Sequence, residues 1–197
     1  IQVDPTVTEK ENEDLTVITY TGTFYGEKSP ASFLKALKEL KDENLLHNIK
    51  VNFVGDLDPA YKKYVKEHGL EQWVDHIGFV PYEESLKHQL KSTILLLIPG
   101  PDETTLPGKF YEYLYLKKPI LCVGIRNSAI EELLDYTNSG VMADNDDVQD
   151  IKEKLKQVLN GNYAFTFDHI DEFNFEGITK RLSEHLEQEA MIVREGN

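Results

Sequence analysis

The stretch TILLLIPGPDETTLPGKFYEYLYLKKPILCVG, residues 93–124, determines which class of fold this chain can adopt. Its first seven residues are almost entirely apolar, which is typical of a strand that is covered on both faces of a sheet. The segment 106–118 predicts a helix that begins near Pro107, and PILCVG (119–124) predicts the next strand. A buried strand, a helix and a second strand in this order are typical of a parallel α/β sheet.

The same alternation of strands and helices extends along the chain on both sides of this stretch. Ser29 and Asp58 each precede a proline and predict the N-caps of two helices. Six strands that alternate with helices predict an α/β fold, namely a doubly wound, mostly parallel six-stranded sheet with helices on both faces. The further strands are predicted over 15–22, 49–55, 73–80 and 139–143, and the further helices over 29–41, 58–69, 81–92, 128–136, 146–161 and about 175–190.

The length of 197 residues fits one α/β domain with a short extension. Residues 1–14 are polar and mixed, and they predict a lead-in linker. We expect the domain itself over 15–165, followed over 166–197 by a C-terminal segment whose helix packs on the domain. The sequence does not begin with methionine and carries no signal peptide, so we expect it to be part of a longer protein.

The charge balance limits the classes of function. The chain has 21 basic and 35 acidic residues and a net charge of −14, which argues against nucleic acid or an anionic membrane surface as the main partner. A small basic pocket for a phosphorylated ligand is compatible with this charge. Cys122 is the single cysteine and cannot form an internal disulfide, which indicates a reducing, cytoplasmic setting.

Ligands of doubly wound sheets bind beyond the carboxyl ends of the strands, and residues 99–112 make one such connection from a strand to a helix. The start of this helix offers N–H groups and a partial positive charge of about half a unit. Gly108 would let a phosphate approach the backbone, Lys109 adds a full charge, and Glu112 could accept hydrogen bonds from ribose hydroxyls. The alternative is an exposed ion pair between Lys109 and Glu112 with no further role.

Two further segments end strands at the same edge of the predicted sheet. YTGTFYGEKSP (20–30) is a glycine-containing turn with Lys28 ahead of a helix; it suits phosphate, but it matches neither the dinucleotide fingerprint nor the P-loop. HIGFVP (76–81) places Phe79 and Val80 at a strand end, where an apolar shelf could hold a planar base. The alternatives are an ordinary surface loop for the first segment and plain core packing for the second.

In their order and amino-acid sequence, these segments resemble those of the C-terminal, donor-binding domain of GT-B glycosyltransferases. The resemblance is greatest to the large retaining family that includes sucrose synthases and bacterial transferases for surface polysaccharides. The most specific match is LPGKFYEYLYLKKPIL (106–121), which resembles the family block G-K-x-x-E-Y-L-x-x-x-K-P-I-L. ITYTGTFYGEKSPASFLKAL, IKVNFVG, HIGFVPYEESL and FNFEGITKRLSEHL are similar to other segments of that family. The likeness covers roughly residues 15–190 and implies that the sheet is the Rossmann-like half of a GT-B fold.

The resemblance implies a role for each matching position. Glu112 corresponds to a glutamate that binds the donor ribose, and Lys28 to a basic residue that contacts the diphosphate. Lys109 and the amides of 106–108 fall beside the diphosphate, and the 79–80 pair falls where the base is held. The residues implied for nucleotide-sugar binding are Gly22, Thr23, Lys28, Phe79, Val80, Thr104, Thr105, Leu106, Gly108, Lys109 and Glu112, and those implied for catalysis are Glu103, Lys28 and Lys109.

Two positions depart from the family pattern. Thr104 stands where the first glutamate of the family's paired-glutamate motif faces the donor sugar, and Glu103 is adjacent to it. Thr23 stands where many members carry an arginine that contacts the diphosphate. One positive charge of the family pattern is therefore absent unless Lys109 supplies it.

The function that the resemblance implies is that of the donor-binding domain of a retaining, hexosyltransferase-type glycosyltransferase. Such an enzyme transfers a sugar from a nucleoside-diphosphate sugar, most commonly a UDP sugar, to an acceptor in surface polysaccharide or glycolipid synthesis. The implied partner is an N-terminal acceptor-binding domain of the same protein, which leaves room for peripheral association of a longer protein with the inner face of a membrane. The alternatives are a sugar-nucleotide epimerase of the same fold, and a non-catalytic nucleotide-binding or flavodoxin-like interaction module.

No metal ion and no other cofactor are expected at the site. Asp56 and Asp58 imitate the metal-binding Asp-x-Asp of another transferase fold, but Asp58 directly precedes a proline and a helix, so helix capping explains it. Asp144, Asp146 and Asp147 lack the glycine and the distal glutamate of a calcium-binding EF-hand loop.

Overall fold

The computed structural model describes residues 15–24, 26–161 and 163–173. In this part of the chain six strands form one sheet, and every strand pairing in it is parallel. The predicted strands are confirmed with ends that differ by one or two residues, and the sheet is fully rather than mostly parallel. The strands are β1 (Thr16–Thr21), β2 (Ile49–Val54), β3 (Val74–Gly78), β4 (Ile94–Leu97), β5 (Ile120–Gly124) and β6 (Gly140–Asp144).

Six α-helices connect or follow these strands, as predicted. They are α1 (Ala31–Asp42), α2 (Pro59–Glu67), α3 (Tyr82–Lys91), α4 (Gly108–Tyr115), α5 (Ala129–Thr137) and α6 (Val148–Leu159). The N-cap prediction is confirmed for Asp58, whose carboxylate accepts the Ala60 N–H at 2.7 Å. It is wrong by one residue for α1, where Pro30 is the N-cap and the Ser29 hydroxyl accepts the N–H of Ala31 at 3.1 Å.

The order of strands across the sheet is β3-β2-β1-β4-β5-β6. The chain therefore runs outward from β1 to one edge, returns to pair β4 with β1, and continues to the other edge. This is the order of dinucleotide-binding α/β folds, and it differs from the flavodoxin-like order that was one of the alternatives. The reversal separates the loops after β1 and β4, which opens a crevice at the carboxyl ends of these two strands.

Helices cover both faces of the sheet and bury a hydrophobic core on each. On one face α1, α2 and α6 pack over a cluster that includes Phe33, Phe53 and Leu155, all almost fully buried. On the other face α4 and α5 pack over a cluster that includes Phe110 and Tyr113. Helix α3 lies against β1. These two cores fix the strands, and with them the loops that form the crevice.

The chain after α6 crosses from one core to the other. Tyr163 and Phe165 pack against the first cluster, whereas Ile170 and Phe173 pack against the second, close to α4. Residues 170–173 form a short 3-10 helix. The predicted linker over 1–14 and the predicted helix over about 175–190 lie outside the described residues.

None of the helices in the described part of the chain combines the length and the apolar character that a membrane span requires.

Candidate functional site

Two adjoining cavities occupy the crevice at the carboxyl ends of the strands. The larger cavity, of about 490 Å³, lies between the ends of β1 and β4 and the start of α4. The smaller cavity, of about 290 Å³, lies between β1, β2, the segment after β3, and helices α3 and α4. Thr23 and Lys109 line both of them. The sequence-predicted residues of the 20–30, 76–81 and 99–112 segments are therefore brought to one place.

Lys109 stands at the junction of the two cavities. Its ammonium group lies 5.4 Å from the centre of the Tyr20 ring, and it packs so closely on Gly22 that a Cβ at that glycine would overlap it. Burial lowers the pKa of Lys109 to about 8, with the carboxylate of Glu112 opposing this shift and the charge of Lys28 adding to it. A partly desolvated ammonium group is a strong electrostatic partner for an anion, because little water remains to compete.

Lys28 adds a second positive charge to the larger cavity. It lies in the loop between β1 and α1, and it reaches across the crevice until its Cε is 3.6 Å from the position that a Cβ of Gly100 would occupy. The first turn of α4 faces the same space, since Gly108 lines the cavity and the N-cap, Pro107, provides no side-chain cap. Two lysines and a helix N-terminus converge here, which is an arrangement that suits a phosphate group.

Glu112 lies on the wall of the smaller cavity and bonds to α3 rather than to Lys109. The amide nitrogen of Gln89 donates to Oε1 of Glu112 at 2.5 Å, and the hydroxyl of Tyr82 donates to Oε2 at 3.1 Å. The negative charge of Glu112 raises the pKa of the Tyr82 hydroxyl, which keeps this group protonated and able to donate. The side chains of Lys109 and Glu112 therefore point to different elements, unlike the simple surface ion pair that was the alternative.

The mouth of the smaller cavity is formed by the segment that follows β3. Phe79 and Val80 line it, and the side chain of Phe79 is 86% exposed. The core-packing alternative is therefore wrong for Phe79, because this ring is not covered by the rest of the described chain. A large aromatic ring at a cavity mouth is a surface on which another planar ring can stack.

The loop after β4 is held by Asp102. Its carboxylate accepts the N–H and the hydroxyl of Thr104, each at 2.8 Å, and the hydroxyl of Thr105 at 2.6 Å. The hydrogen bond from Thr105, followed by those from Thr104, lowers the pKa of Asp102 to about 2. Asp102 is thus ionised at any physiological pH.

Two residues of this loop, Asp102 and Thr105, line the larger cavity. Asp102 is the acidic residue of that lining in the described part of the chain. Glu103, the candidate from the sequence, is exposed, and its backbone carbonyl accepts the N–H of Ala129. Thr104 is exposed and Leu106 packs on the second core cluster. The sequence carried a signal for Asp102, because an aspartate two residues before a threonine is typical of a turn held by the side chain.

Three other residues of the site escaped the sequence analysis: Gln89, Tyr82 and Tyr20. Gln89 and Tyr82 reach Glu112 from a helix that lies more than twenty positions earlier in the chain. A glutamine at a buried position of an amphipathic helix was the available signal, since buried amides need partners.

Two aspartates outside the linings of both cavities serve helix capping. Asp58 caps α2, and Asp147 caps α6 through the N–H groups of Gln149 and Asp150 at 2.8 and 3.1 Å. Over the ranges 15–24, 26–161 and 163–173 there is no group of three or more histidine, cysteine, aspartate or glutamate side chains that could hold a metal ion.

A fully parallel, doubly wound sheet with a crevice where its strand order reverses, lined by two lysines, defines a Rossmann-like ligand-binding domain. The sequence profile of the family described as "Glycosyl transferases group 1" matches residues 6–169, which is most of the chain. The chain belongs to this family, as the resemblance implied.

A curated relative and two solved structures resemble the chain. The Amylovoran biosynthesis glycosyltransferase AmsK of Erwinia amylovora is 26% identical over 133 residues, which are 65% of this chain and 32% of that protein. The lipopolysaccharide outer core galactosyltransferase WaaB matches with a TM-score of 0.70 and 19% identity, over 91% of this chain and 51% of that one. Anabaena Alr3699/HepE in complex with UDP-glucose matches with a TM-score of 0.61 and 17% identity, over 88% of this chain and 49% of that one.

The chain thus spans about a third of the curated relative and about half of each of the two solved structures. The likeness to the solved structures confirms the predicted fold, the Rossmann-like half of a GT-B fold.

Proposed function

We propose that this chain is the donor-binding half of a retaining glycosyltransferase that takes a nucleoside-diphosphate sugar, with UDP as the nucleotide. The observation that carries the proposal is the pair of cavities that meet at Lys109, one with a carboxylate and an exposed aromatic ring, the other with a second lysine and a helix N-terminus. Solved structures of HepE with UDP and with UDP-glucose support this choice of nucleotide. The names of AmsK and WaaB support synthesis of a surface polysaccharide or lipopolysaccharide as the setting.

The two cavities suit the two ends of such a ligand. We assign the base to the mouth of the smaller cavity, against Phe79 and Val80, and the ribose hydroxyls to Glu112. The diphosphate then lies at the junction, between Lys109 and the start of α4. Gly22 and Thr23 lie beside it, and the larger cavity beyond, near Thr105, holds the sugar.

The chemistry of transfer requires stabilisation of a leaving group. When the bond between the sugar and the nucleotide breaks, negative charge grows on the diphosphate. Lys28, Lys109 and the N–H groups at the start of α4 are positioned to stabilise that charge, and electrostatic stabilisation of this kind is usually the largest contribution to catalysis. An N-terminal domain of the same protein would hold the acceptor across the crevice, because transfer needs both substrates in a fixed mutual geometry.

Two observations separate this proposal from the epimerase and the flavodoxin-like module. Membership of the group 1 glycosyl transferases favours a transferase over the sugar-nucleotide epimerase. The strand order is not that of the flavodoxin-like interaction module.

The proposal predicts that Glu112 and Lys109 have separable effects on binding. Glu112→Gln keeps the size of the side chain but weakens the hydrogen bonds to the ribose, so UDP affinity should fall by about tenfold or more. The loss should be much smaller for 2′,3′-dideoxy-UDP, which lacks both hydroxyls. Lys109→Ala should weaken UDP far more than uridine, by a factor that shrinks at high salt. Isothermal titration calorimetry with the three ligands measures these differences.

A matched pair of control variants lies on α2. Lys63 and Glu67 form an exposed ion pair of 3.5 Å on that helix, outside the lining of both cavities, so Lys63→Ala and Glu67→Gln should bind UDP as the parent does. If the Lys109 and Glu112 variants also bind UDP as the parent does, these two residues have no role beyond the surface of α4, and the site assignment is wrong.

The proposal also predicts that UDP binding needs no divalent metal ion. The two lysines and the helix N-terminus supply positive charge to the diphosphate without an ion, and the Asp58 carboxylate is engaged in capping. The affinity for UDP should therefore be the same with Mg²⁺ and with EDTA. A loss of about tenfold or more in EDTA would restore Asp56 and Asp58 as candidate ligands.

A further inference from the structure

Gln89 is the single residue of α3 that is fully buried. It is 1% exposed, contacts Thr21 of β1 and belongs to the lining of the smaller cavity. A buried amide destabilises a fold unless it is hydrogen-bonded, and an aliphatic side chain would fill the same space without that cost. A glutamine in this place therefore requires an explanation.

The hydrogen bonds of Gln89 join three elements of the site. Its amide nitrogen donates to Oε1 of Glu112 on α4 at 2.5 Å and to the hydroxyl of Thr21 on β1 at 3.3 Å. The Thr21 hydroxyl in turn lies 3.2 Å from the hydroxyl of Tyr113, which is buried on α4 one position after Glu112. The strand and both helices that wall the smaller cavity are thereby tied together at the Glu112 carboxylate.

The orientation of the Gln89 amide is fixed by the charge of Glu112. The amide oxygen of Gln89 is buried and has no hydrogen-bond partner within the described residues. Exchanging the nitrogen and the oxygen would place that oxygen against a carboxylate oxygen, which is repulsive. The side chain thus leaves one acceptor unsatisfied in order to offer its donor to Glu112, which is costly for a residue with a purely packing role.

We infer that Gln89 is a positioning residue, which holds the Glu112 carboxylate in the orientation that favours a ribose with both hydroxyls over a 2′,3′-dideoxyribose in the nucleotide. This inference rests on the proposed function, because it needs Glu112 to accept hydrogen bonds from the ribose. Gln89 donates to Oε1, and the exposed Tyr82 donates to Oε2. Each carboxylate oxygen accepts more than one hydrogen bond, so both keep capacity for the ribose hydroxyls.

The test is Gln89→Met, which keeps the length and volume of the side chain but removes the donor. The affinities for UDP and for 2′,3′-dideoxy-UDP are measured by calorimetry for the parent and the variant. We expect UDP affinity to fall about tenfold and dideoxy-UDP affinity to stay the same, so that the preference for ribose is lost. In the Glu112→Gln background the same substitution should have no further effect on UDP.

The matched control is Gln149→Met. Gln149 also donates an amide hydrogen bond to a glutamate, Glu39, at 2.6 Å, but on α6 and away from both cavities. This variant should keep the parent's preference for ribose. Gln89→Asn ends one methylene short of Glu112 and gives the same readout if Gln89→Met does not fold.

Two results would overturn the inference: equal losses of UDP and dideoxy-UDP affinity, which indicate a merely structural role, and an unchanged preference for ribose. Failure of the proposed function has a different signature, since the parent protein itself would then bind UDP no better than dideoxy-UDP.

Discussion

Replacing Gly55 by alanine is expected to lower the free energy of unfolding by about 4 kcal/mol, the sum of backbone strain and steric overlap. Gly55 follows β2 with a φ of +131°, a conformation that residues with a side chain rarely adopt. Its added Cβ would overlap the carbonyl oxygen of Gly22 and approach the carbonyl carbon at 2.6 Å. Neither backbone can move away, because Gly22 donates to Val54 at 2.7 Å and Gly55 donates to Gly78 at 2.8 Å.

Chemical denaturation of Gly55→Ala and Gly26→Ala compares a crowded glycine with an uncrowded one. Gly26 also has a positive φ, +62°, but a Cβ there would meet nothing within 4 Å. Gly26→Ala should therefore lose only about 1 kcal/mol, the cost of the left-handed conformation. Equal losses for the two variants would show that the close approach of β1 and β2 beside the crevice is not a real constraint.

Affinity for UDP is expected to fall about a hundredfold between pH 7 and pH 10, through loss of the charge on Lys109. The pKa of Lys109 in the free protein is lowered to about 8 by its burial, and a bound diphosphate stabilises the protonated form. Above pH 8 the protein must take up a proton to bind, so the affinity drops by nearly tenfold for each pH unit. Below pH 7 this dependence should disappear.

The control for this pH dependence is Lys109→Arg, since arginine keeps its charge throughout the range. The UDP affinity of this variant should vary little with pH. Titration of the ligand or of other residues affects the parent and the variant equally, so it cancels in their comparison. Loss of the Lys109 charge does not itself destabilise the fold. Between pH 8 and 10.5 the unfolded chain binds more protons at Lys109 than the folded chain does, so this residue's contribution to stability rises with pH. Parallel pH profiles for parent and variant would exclude Lys109 from the diphosphate site.

The fold was predictable because its signals are local. Apolar runs such as 94–98, and proline or glycine at the ends of helices, mark each element within a short window of sequence. The order of the strands in the sheet cannot be predicted from local signals, because no residue pattern within β4 indicates that it pairs with β1. The N-cap of α1 at Pro30 rather than Ser29 is likewise not visible in the local sequence; the Ser29 hydroxyl accepts the N–H of Ala31 at 3.1 Å and also lies 2.7 Å from the Tyr61 hydroxyl of another element.

The candidate site was predictable in its segments but not in its contacts. Lys28, Lys109 and Glu112 were found from the strand ends and from the family block, and the structure brings all three to one crevice. The hydrogen bond from Gln89 to Glu112 depends on how α3 and α4 pack, which no spacing in the sequence encodes. Asp102 precedes the predicted Glu103 by one position, and only the geometry of the turn shows that the Asp102 side chain lines the larger cavity.

The Asp102 turn also affects the entropy of ligand binding. A loop that is unstructured in the free protein must lose conformational freedom when a ligand enters, and that loss reduces affinity. Here the hydrogen bonds from Thr104 and Thr105 to the Asp102 carboxylate come from the chain itself and restrain the loop without help from a ligand. The ordering of this part of the crevice is therefore a cost of folding, and an incoming ligand meets a loop whose conformational entropy has already been lost.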